Sequence, residues 1–397
     1  MFESFKQMSR ETKIILFGVL LTGTSTFMLS PFLALYMNSK GFSASQIGIV
    51  LTSSLIFQQG LSFVGGIAGD RFGYKKTLIL GLIVRTAGYL IFVFSNQLLL
   101  LITASSFVGI GGSLITPSTK ASIAATEDER GKAFALRNVA VNMGASLGPI
   151  LGGLLYNTSF FIVFFLAAFT HITLLVLVII FVKNFKGLKS NNIFVDSKKI
   201  ITDLNIVRLT AITALFWLLY SQLNLSIPLY LKNQLHLESF TGTLFALNGI
   251  LVIALQFHLF ALFEKKFTYT NILFYGMMFL AVSFAVISLI PNIAGLYFYI
   301  ILFTVGEILI GPSIDNLASN MAPSPSCMGG YLGFVTMGWA IGGSIGNMLG
   351  GYLYNITSKN SLWLTWYFYA FLAVITAFLF KGLKTKVMSN QTNVFTE

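Results

Sequence analysis

The chain has 397 residues, of which 55% are hydrophobic and only 10% are charged, and its mean hydropathy is +0.81. A soluble domain carries roughly 25% charged residues, so this composition excludes an ordinary soluble protein and indicates a membrane protein. The formal net charge of +12 would fit nucleic-acid binding, but the placement of the basic residues explains it otherwise. The single cysteine, Cys327, excludes an intramolecular disulfide.

Charged or turn-forming clusters divide the chain into twelve apolar segments, and a helix needs about 20 apolar residues to cross a bilayer. The sequence therefore predicts an all-α membrane protein whose first segment is a retained helix and not a cleaved signal peptide. The twelve predicted spans are 14–37, 46–69, 77–95, 98–122, 133–157, 159–182, 208–231, 241–263, 269–290, 294–321, 328–354 and 360–381.

The only long polar interruption lies at 183–207, with six spans before it and six after it. We therefore expect a six-helix bundle at 1–182, a cytoplasmic linker at 183–207 and a second six-helix bundle at 208–397.

The basic residues lie mainly on one side of the predicted membrane. With both termini inside, the cytoplasmic segments and helix ends hold 20 of the 25 Lys and Arg residues, and the outer loops hold only Lys40, Lys232 and Lys359. The positive-inside rule then predicts a multi-pass protein of a bacterial-type inner membrane with both termini in the cytoplasm. The net charge follows from this bias, so no nucleic-acid partner is expected.

Two stretches half the chain apart nearly repeat each other. Residues 144–157 read GASLGPILGGLLYN and 342–355 read GGSIGNMLGGYLYN, which is nine identities in fourteen positions at a separation of 198. They fall in the fifth span of each half, so the chain is predicted to be two pseudo-symmetric bundles that rock about a central site, as in many transporters. Glycines four residues apart favour close helix packing. The packing motif comprises Gly144, Gly148, Pro149, Gly152, Gly153, Gly342, Gly346 and Gly350.

The loop after span two reads GGIAGDRFGYKK. Its Gly66, Asp70, Arg71, Gly73 and Lys75 resemble the signature of the major facilitator superfamily, and with twelve spans and a central loop the resemblance covers essentially the whole chain. It implies the two-bundle fold of that family, with the Asp and Arg holding the halves together on the cytoplasmic side.

Span five looks like the Gly-Pro motif of the drug:proton antiporter branch, on Gly144, Gly148, Pro149, Gly152 and Gly153. That resemblance implies multidrug efflux. The branch often carries a proton-coupling arginine in span four, but residues 104–113 (ASSFVGIGGS) contain none, so this chain lacks that route.

Four charged residues lie well inside predicted spans, away from their ends, and each costs about 2.5–3.5 kcal/mol at a helix centre on insertion scales. Glu307, near the midplane of span ten, is the predicted proton-coupling residue, and a static pair with an arginine is the alternative. Asp315 is expected to meet Arg137 or Lys120 at a cytoplasmic gate that also contains Asp70, Arg71 and Lys75. Arg85 in span three has two interpretations: a structural ion pair or a snorkelling side chain, and a cavity residue.

Polar and aromatic residues of the spans that surround the centre are the predicted substrate cavity. Trp217, Tyr220 and Asn224 share one helical face, where they fit either ligand stacking or packing. His171 and His258 are expected to be hydrogen-bonded within the bundle or to carry protons. The cavity set is Gln58, Asn142, Trp217, Tyr220, Asn224, Gln256, Trp339 and Arg85.

Motifs for other chemistry are missing from the sequence. There is no phosphate-binding GxxxxGK[ST] loop and no HExxH. The GxSxG at 144–148 lies mid-helix and not at a strand-to-helix turn, so it does not indicate a hydrolase. We expect no enzyme activity, no cofactor and no metal.

The sequence thus predicts a proton-coupled secondary transporter that exports lipophilic or cationic molecules by alternating access. The expected partners are a small-molecule substrate, protons and membrane lipid, and the protein is expected to act as a monomer. An exporter of an anionic metabolite such as a carboxylate siderophore, attracted by Arg85 and Arg137, is the main alternative. An importer remains open, since the fold does not set direction, whereas a sensor or scaffold would need a further soluble domain.

Overall fold

The computed structural model describes residue 6 and residues 8–126, 130–156, 160–183, 200–323, 328–358 and 361–383. Most of the predicted linker, residues 184–199, lies outside the described residues. Within the described ranges the secondary structure is helical and contains no strand. The helices are α1 (Arg10–Ser39), α2 (Ala44–Gly60), α3 (Ser62–Phe72), α4 (Tyr74–Phe94), α5 (Leu98–Thr126), α6 (Arg130–Tyr156), α7 (Phe160–Phe181), α8 (Leu204–Asn224), α9 (Ser226–Asn233), α10 (Thr241–Glu264), α11 (Tyr269–Leu289), α12 (Ile293–Met321), α13 (Met328–Thr357) and α14 (Leu362–Lys381), with a 3-10 turn at Glu238–Phe240.

Two predicted spans are each divided into two helices. The segment predicted at 46–69 breaks at Leu61, directly after Gly60, which is a weak helix former. The segment predicted at 208–231 breaks at Leu225. Pro228 explains the second break, because it has no N–H to donate and its ring clashes with the carbonyl four residues earlier, at Asn224.

The described helices make this a multi-pass membrane protein. Nine helical segments are apolar enough and, with at least 18 residues, long enough to cross a bilayer. Within the part of the chain that the structure describes, α2, α3, α6 and α13 are not among those nine segments. The break at Leu61 leaves α2 with 17 residues and α3 with 11. The described apolar segment of α6 is Val139–Leu155, and glycines lower the hydropathy of α13.

The helices pair in the same way in the two parts of the chain. In the first group, α1–α7, α1 packs on α6, α4 on α5 and α7, and α2 on α5. In the second group, α8–α14, the corresponding pairs are α8 with α13, α11 with α12 and α14, and α10 with α12. Two equivalent pairs join the groups, α2 with α13 and α6 with α10.

The glycine repeats allow two of these pairs to approach closely. A Cβ at Gly148 would lie 2.6 Å from the Thr24 carbonyl oxygen of α1, and one at Gly346 would lie 2.5 Å from the Leu218 carbonyl oxygen of α8. Backbone therefore meets backbone in both pairs, as small residues permit. Gly153 differs, because it contacts Gly242 of α10 in the other group.

One end of the molecule, here called the basic end, contains the start of α1 and α4 and the end of α7. The Arg10 guanidinium lies 4.4 Å from the centre of the Phe181 ring, and Lys75 Nζ donates to the Ile179 carbonyl at 2.9 Å. The opposite end is called the far end.

The contacts that join the two groups within the described residues lie between the far end and about the middle of the helices. Thr52 Oγ1 donates to the Ser344 carbonyl at 3.1 Å, and Lys232 Nζ donates to the Leu35 carbonyl at 3.4 Å. A Cβ at Gly153 would lie only 2.6 Å from Gly242 Cα. This conformation is therefore closed at the far end.

Candidate transport site

A central cavity of about 490 Å³ lies between the two groups of helices. The first group contributes α1, α2, α4, α5, α6 and α7, and the second contributes α8, α10, α12 and α13. The volume is within the roughly 300–1,000 Å³ typical of small-molecule sites. A second cavity of about 180 Å³ lies beside it, within the second group, and Glu307 lines both.

Glu307 of α12 is held in the cavity wall by two neutral donors. The Tyr220 hydroxyl donates to Oε1 at 2.9 Å, and Asn248 Nδ2 donates to Oε2 at 2.9 Å. Asn248 Nδ2 also donates to Thr304 Oγ1 at 2.8 Å, which fixes the amide in place. Within the described residues Glu307 has no ion pair, so the expected alternative of a static pair with an arginine is not what the structure contains.

Aromatic rings form the wall next to Glu307. The Trp217 and Trp339 rings stack with centroids 5.0 Å apart and planes at 25°, and Tyr220 meets Trp217 edge-on at 5.0 Å. All three residues line the cavity. Trp217 also packs on Phe216, which is the packing role, and its place in the cavity wall leaves ligand stacking as a prediction. A flat or cationic group placed here would meet aromatic faces beside a carboxylate.

Arg85 of α4 is buried in the opposite group of helices, with 6% of its surface exposed, and it lines the cavity. Nε donates to the Tyr89 hydroxyl at 3.2 Å, and Nη2 donates to Thr26 Oγ1 at 3.1 Å. Of the two sequence interpretations, the structure therefore has the cavity residue, since no described carboxylate pairs with it. His171 is fully buried behind it, with Nδ1 2.8 Å from the Ala167 carbonyl and its ring against Tyr89.

The predicted gate residues Arg137, Lys120 and Asp315 lie towards the basic end without forming an ion pair. Lys120 is within electrostatic range of both Arg137 and Asp315, although none of the described atoms of these residues forms a salt bridge. Arg137 lines the main cavity and its Nε is buried with no hydrogen bond to the described residues. Asp315 is exposed and lines the smaller cavity.

The remaining gate residues contact their own group of helices. The exposed Arg71 lies 5.6 Å from the Phe72 ring centre, and Lys75 reaches the Ile179 carbonyl of α7. The side chain of Asp70 lies outside the described residues. No described contact joins Arg71 or Lys75 to the second group in this conformation.

The structure brings most of the predicted cavity residues together. The ones that line it are Gln58, Arg85, Asn142, Trp217, Tyr220, Asn224 and Trp339, together with Glu307. Gln256 is a correction, because it lies one turn beyond Val252, the last cavity-lining residue of α10. Residues that the sequence analysis missed are Thr26, Tyr89, Asn248 and Asn347. An asparagine within an apolar span was the available signal for Asn248.

A central cavity between two equivalent groups of membrane helices, with isolated charges in its wall, defines a transporter. The sequence model of the Major Facilitator Superfamily matches residues 15–329, so the chain belongs to that superfamily. This confirms the family resemblance and the expectation of a transporter and not an enzyme.

Curated relatives cover nearly the whole chain at low identity. The multidrug resistance protein MdtH of Yersinia pestis (strain Pestoides F) is 26% identical over 377 residues, which is 91% of each chain. The protein of the same name from Yersinia enterocolitica is 24% identical over 355 residues, covering 86% of each chain.

Solved structures share the fold. A mutant of the nucleoside transporter NupG superimposes with a TM-score of 0.79 at 14% identity, covering 95% of this chain and 100% of that one. The peptide transporter POT in complex with sulfate has a TM-score of 0.75 at 15% identity, covering 94% and 93% of the two chains. At these identities the likeness concerns the fold alone.

Proposed function

We propose that the protein is a proton-coupled exporter of lipophilic or cationic small molecules that works by alternating access between two bundles, 1–182 and 208–397. The observation that carries the proposal is the unpaired Glu307 carboxylate in the cavity wall beside stacked tryptophans. The relatives named multidrug resistance proteins support the substrate class.

The membrane arrangement is part of the proposal. The α2–α3 pair and the α8–α9 pair each count as one span, which gives twelve spans with both termini in the cytoplasm of a bacterial-type inner membrane. The excess of Lys and Arg at the basic end supports this orientation. The basic end is then cytoplasmic, and the described conformation, closed at the far end, is the one that takes up substrate from inside.

Glu307 is suited to exchange a proton for a cation. Its two oxygens accept hydrogen bonds from a phenol and an amide, but no described cation balances its charge. An uncompensated charge at this depth is costly, so the group favours whichever positive partner the cavity supplies. A proton and a cationic substrate are two such partners, and each excludes the other.

The cycle follows from that competition. A substrate enters from the cytoplasmic side while Glu307 is ionised, and the bundles then rock so that Arg71, Lys75, Arg137 and Asp315 approach the opposite bundle. Protonation of Glu307 from outside lowers the affinity for the substrate, which leaves. The protonated carrier returns and releases its proton to the cytoplasm.

Substrate-triggered proton release from purified protein tests the proposal. Ethidium is added to the protein in weakly buffered detergent with a pH dye, using wild type, Glu307→Gln and the control Glu264→Gln, an exposed acid at the end of α10. We expect release in the wild type and the control and none in Glu307→Gln. Equal release from Glu307→Gln would show that the coupling assignment is wrong.

Export of an anionic metabolite is the second candidate, because the cavity wall contains Arg85 and Arg137 against one carboxylate. In the same assay, a response to citrate with none to ethidium favours this candidate. That result would assign substrate binding to Arg85 and Arg137 instead of Glu307.

A further inference from the structure

Arg85 is a buried charge that its surroundings hydrogen-bond but do not neutralise. It is 6% exposed, and its described partners are the hydroxyl groups of Tyr89 and Thr26. No described carboxylate pairs with it. An arginine keeps its charge in proteins, so this site cannot relieve the cost of burial by losing a proton.

The residues that face Arg85 add no negative charge. Gln58 of α2 is neutral, and the His171 ring behind Tyr89 is an imidazole that lies within electrostatic range of the guanidinium. Gly112 of α5 adds no side chain at all. Within the described part of the chain, Arg85 therefore lies in the cavity wall without a counter-charge.

One nitrogen of Arg85 has no acceptor among the described residues. Nη1 donates to none of the described residues, and it is not among the fully buried unpaired atoms. The Gln58 side chain lies next to it, since a Cβ built at Gly112 would be 3.0 Å from Nη1 and 2.8 Å from Gln58 Oε1. The absence of a side chain at Gly112 lets both side chains pack against this helix, and both Arg85 and Gln58 line the cavity.

We propose that Arg85 and Gln58 form an anion subsite that binds a carboxylate or another oxyanion, carried by the transported molecule or accompanying it as a free ion. A guanidinium is well shaped for this, because its N–H groups match the geometry of an oxyanion. The subsite belongs to the first group of helices, whereas Glu307 and its aromatic wall belong to the second.

The inference rests on the proposed exporter function. The positions of Arg85 and Glu307 specify the substrate class of that exporter. A zwitterionic aromatic molecule satisfies both charges of the cavity, with its cationic part at Glu307 and its acidic part at Arg85. A molecule that is only cationic leaves Arg85 without a partner. The bridging substrate also connects the two bundles that have to move against each other.

Rhodamine B and its methyl ester test the subsite, because they share one aromatic cation and differ in a free carboxylate. Their affinities are measured by fluorescence anisotropy in detergent at low ionic strength, with no carboxylate or other oxyanion added. We expect Arg85→Gln to weaken rhodamine B at least about tenfold, which corresponds to ~1.4 kcal/mol. The methyl ester should change less than about twofold.

Two further variants control for charge and folding. Arg208→Gln removes an exposed arginine of α8 and should leave both affinities unchanged. Arg85→Lys keeps the charge but loses the planar fork, so it should weaken rhodamine B to an intermediate degree. It provides the same comparison if Arg85→Gln does not fold, which the thermal melting curve of each variant reveals.

Acetate distinguishes the two sources of the anion. If added acetate tightens binding of the methyl ester in wild type but not in Arg85→Gln, a free anion fills the subsite beside a cationic substrate. A preference of the wild type for rhodamine B without acetate assigns the anion to the substrate. Equal losses for both dyes in Arg85→Gln, or no loss for either, would overturn the subsite. If the wild type binds neither dye, the proposed substrate class itself fails.

Discussion

A methyl group at Gly153 should shift the balance between the two conformations of the transporter. In the described conformation a Cβ at this position would lie 2.6 Å from Gly242 Cα, across the contact between α6 and α10. Carbon atoms prefer about 3.5–4.0 Å, so the backbones of Gly153→Ala must separate by at least about 0.9 Å. The contact exists only while the far end is closed, so the strain falls on that state.

The size of the shift follows from the cost of overpacking. Extra methyl groups in a close-packed contact cost roughly 1–3 kcal/mol, which changes a two-state equilibrium about 5–150-fold. Alanine is also the better helix former, so the helix itself is not weakened. We expect Gly153→Ala to favour the conformation that is open at the far end.

Spin labels at Ser39 and Asn355, exposed residues on the far ends of α1 and α13, report this opening. Pulsed electron paramagnetic resonance should show a larger long-distance population in Gly153→Ala than in the parent with Cys327 replaced by serine. Gly148→Ala is the matched control, because its Cβ meets Thr24 and Met28 of α1 within one group. It should lower the melting temperature and leave the distance distribution unchanged.

An unchanged distribution in Gly153→Ala would refute the argument, since the far-end contact would then tolerate a methyl group. The same shift in Gly148→Ala would also refute the argument. A methyl group inside one group would then have the same effect as a methyl group at the contact between the groups.

Two further predictions concern the aromatic wall and the buried core. Trp339→Ala removes the ring stacked on Trp217 and should weaken ethidium binding about two- to tenfold, measured by anisotropy, because an aromatic pair contributes roughly 0.5–1.5 kcal/mol beyond its buried area. Gln222→Leu should lower the melting temperature of the detergent-solubilised protein, because it removes an amide that donates to the Gly346 carbonyl at 2.9 Å and accepts from Ser226 at 2.7 Å. The buried donor and acceptor left behind would cost about 1–3 kcal/mol each, and an unchanged melting temperature would contradict this.

The sequence predicted helices over all twelve apolar ranges because length and hydropathy decide membrane helices locally. It also contained the reason for the break at Leu225, since Pro228 lies four residues after Asn224. The span predicted at 208–231 lies within one described apolar segment, Leu204–Asn233. Hydropathy alone did not predict the helix break inside it, because hydropathy does not register the loss of one backbone hydrogen bond.

The site was less accessible to sequence reasoning because it depends on how the two groups are placed. Asn248 and Gln256 are similar polar residues two turns apart on α10, and only Asn248 lies in the cavity, against Glu307. Gly153 belongs to the same repeat as Gly148, yet it faces another helix. The spacing of residues in the sequence predicts which of them share a helical face. It does not predict which neighbouring helix packs on that face at a given depth in the membrane.

The pairing of the glycine-rich helices also bears on how the protein enters the membrane. The described apolar segment of α6 is Val139–Leu155, and α13 is not among the described segments that meet the length and hydropathy needed to cross a bilayer. Each packs its glycines on an earlier helix, α6 on α1 and α13 on α8. During synthesis that earlier helix is already in the bilayer when its glycine-rich partner emerges. In each group of helices, the partner on which the glycines pack is therefore synthesised before the glycine-rich helix.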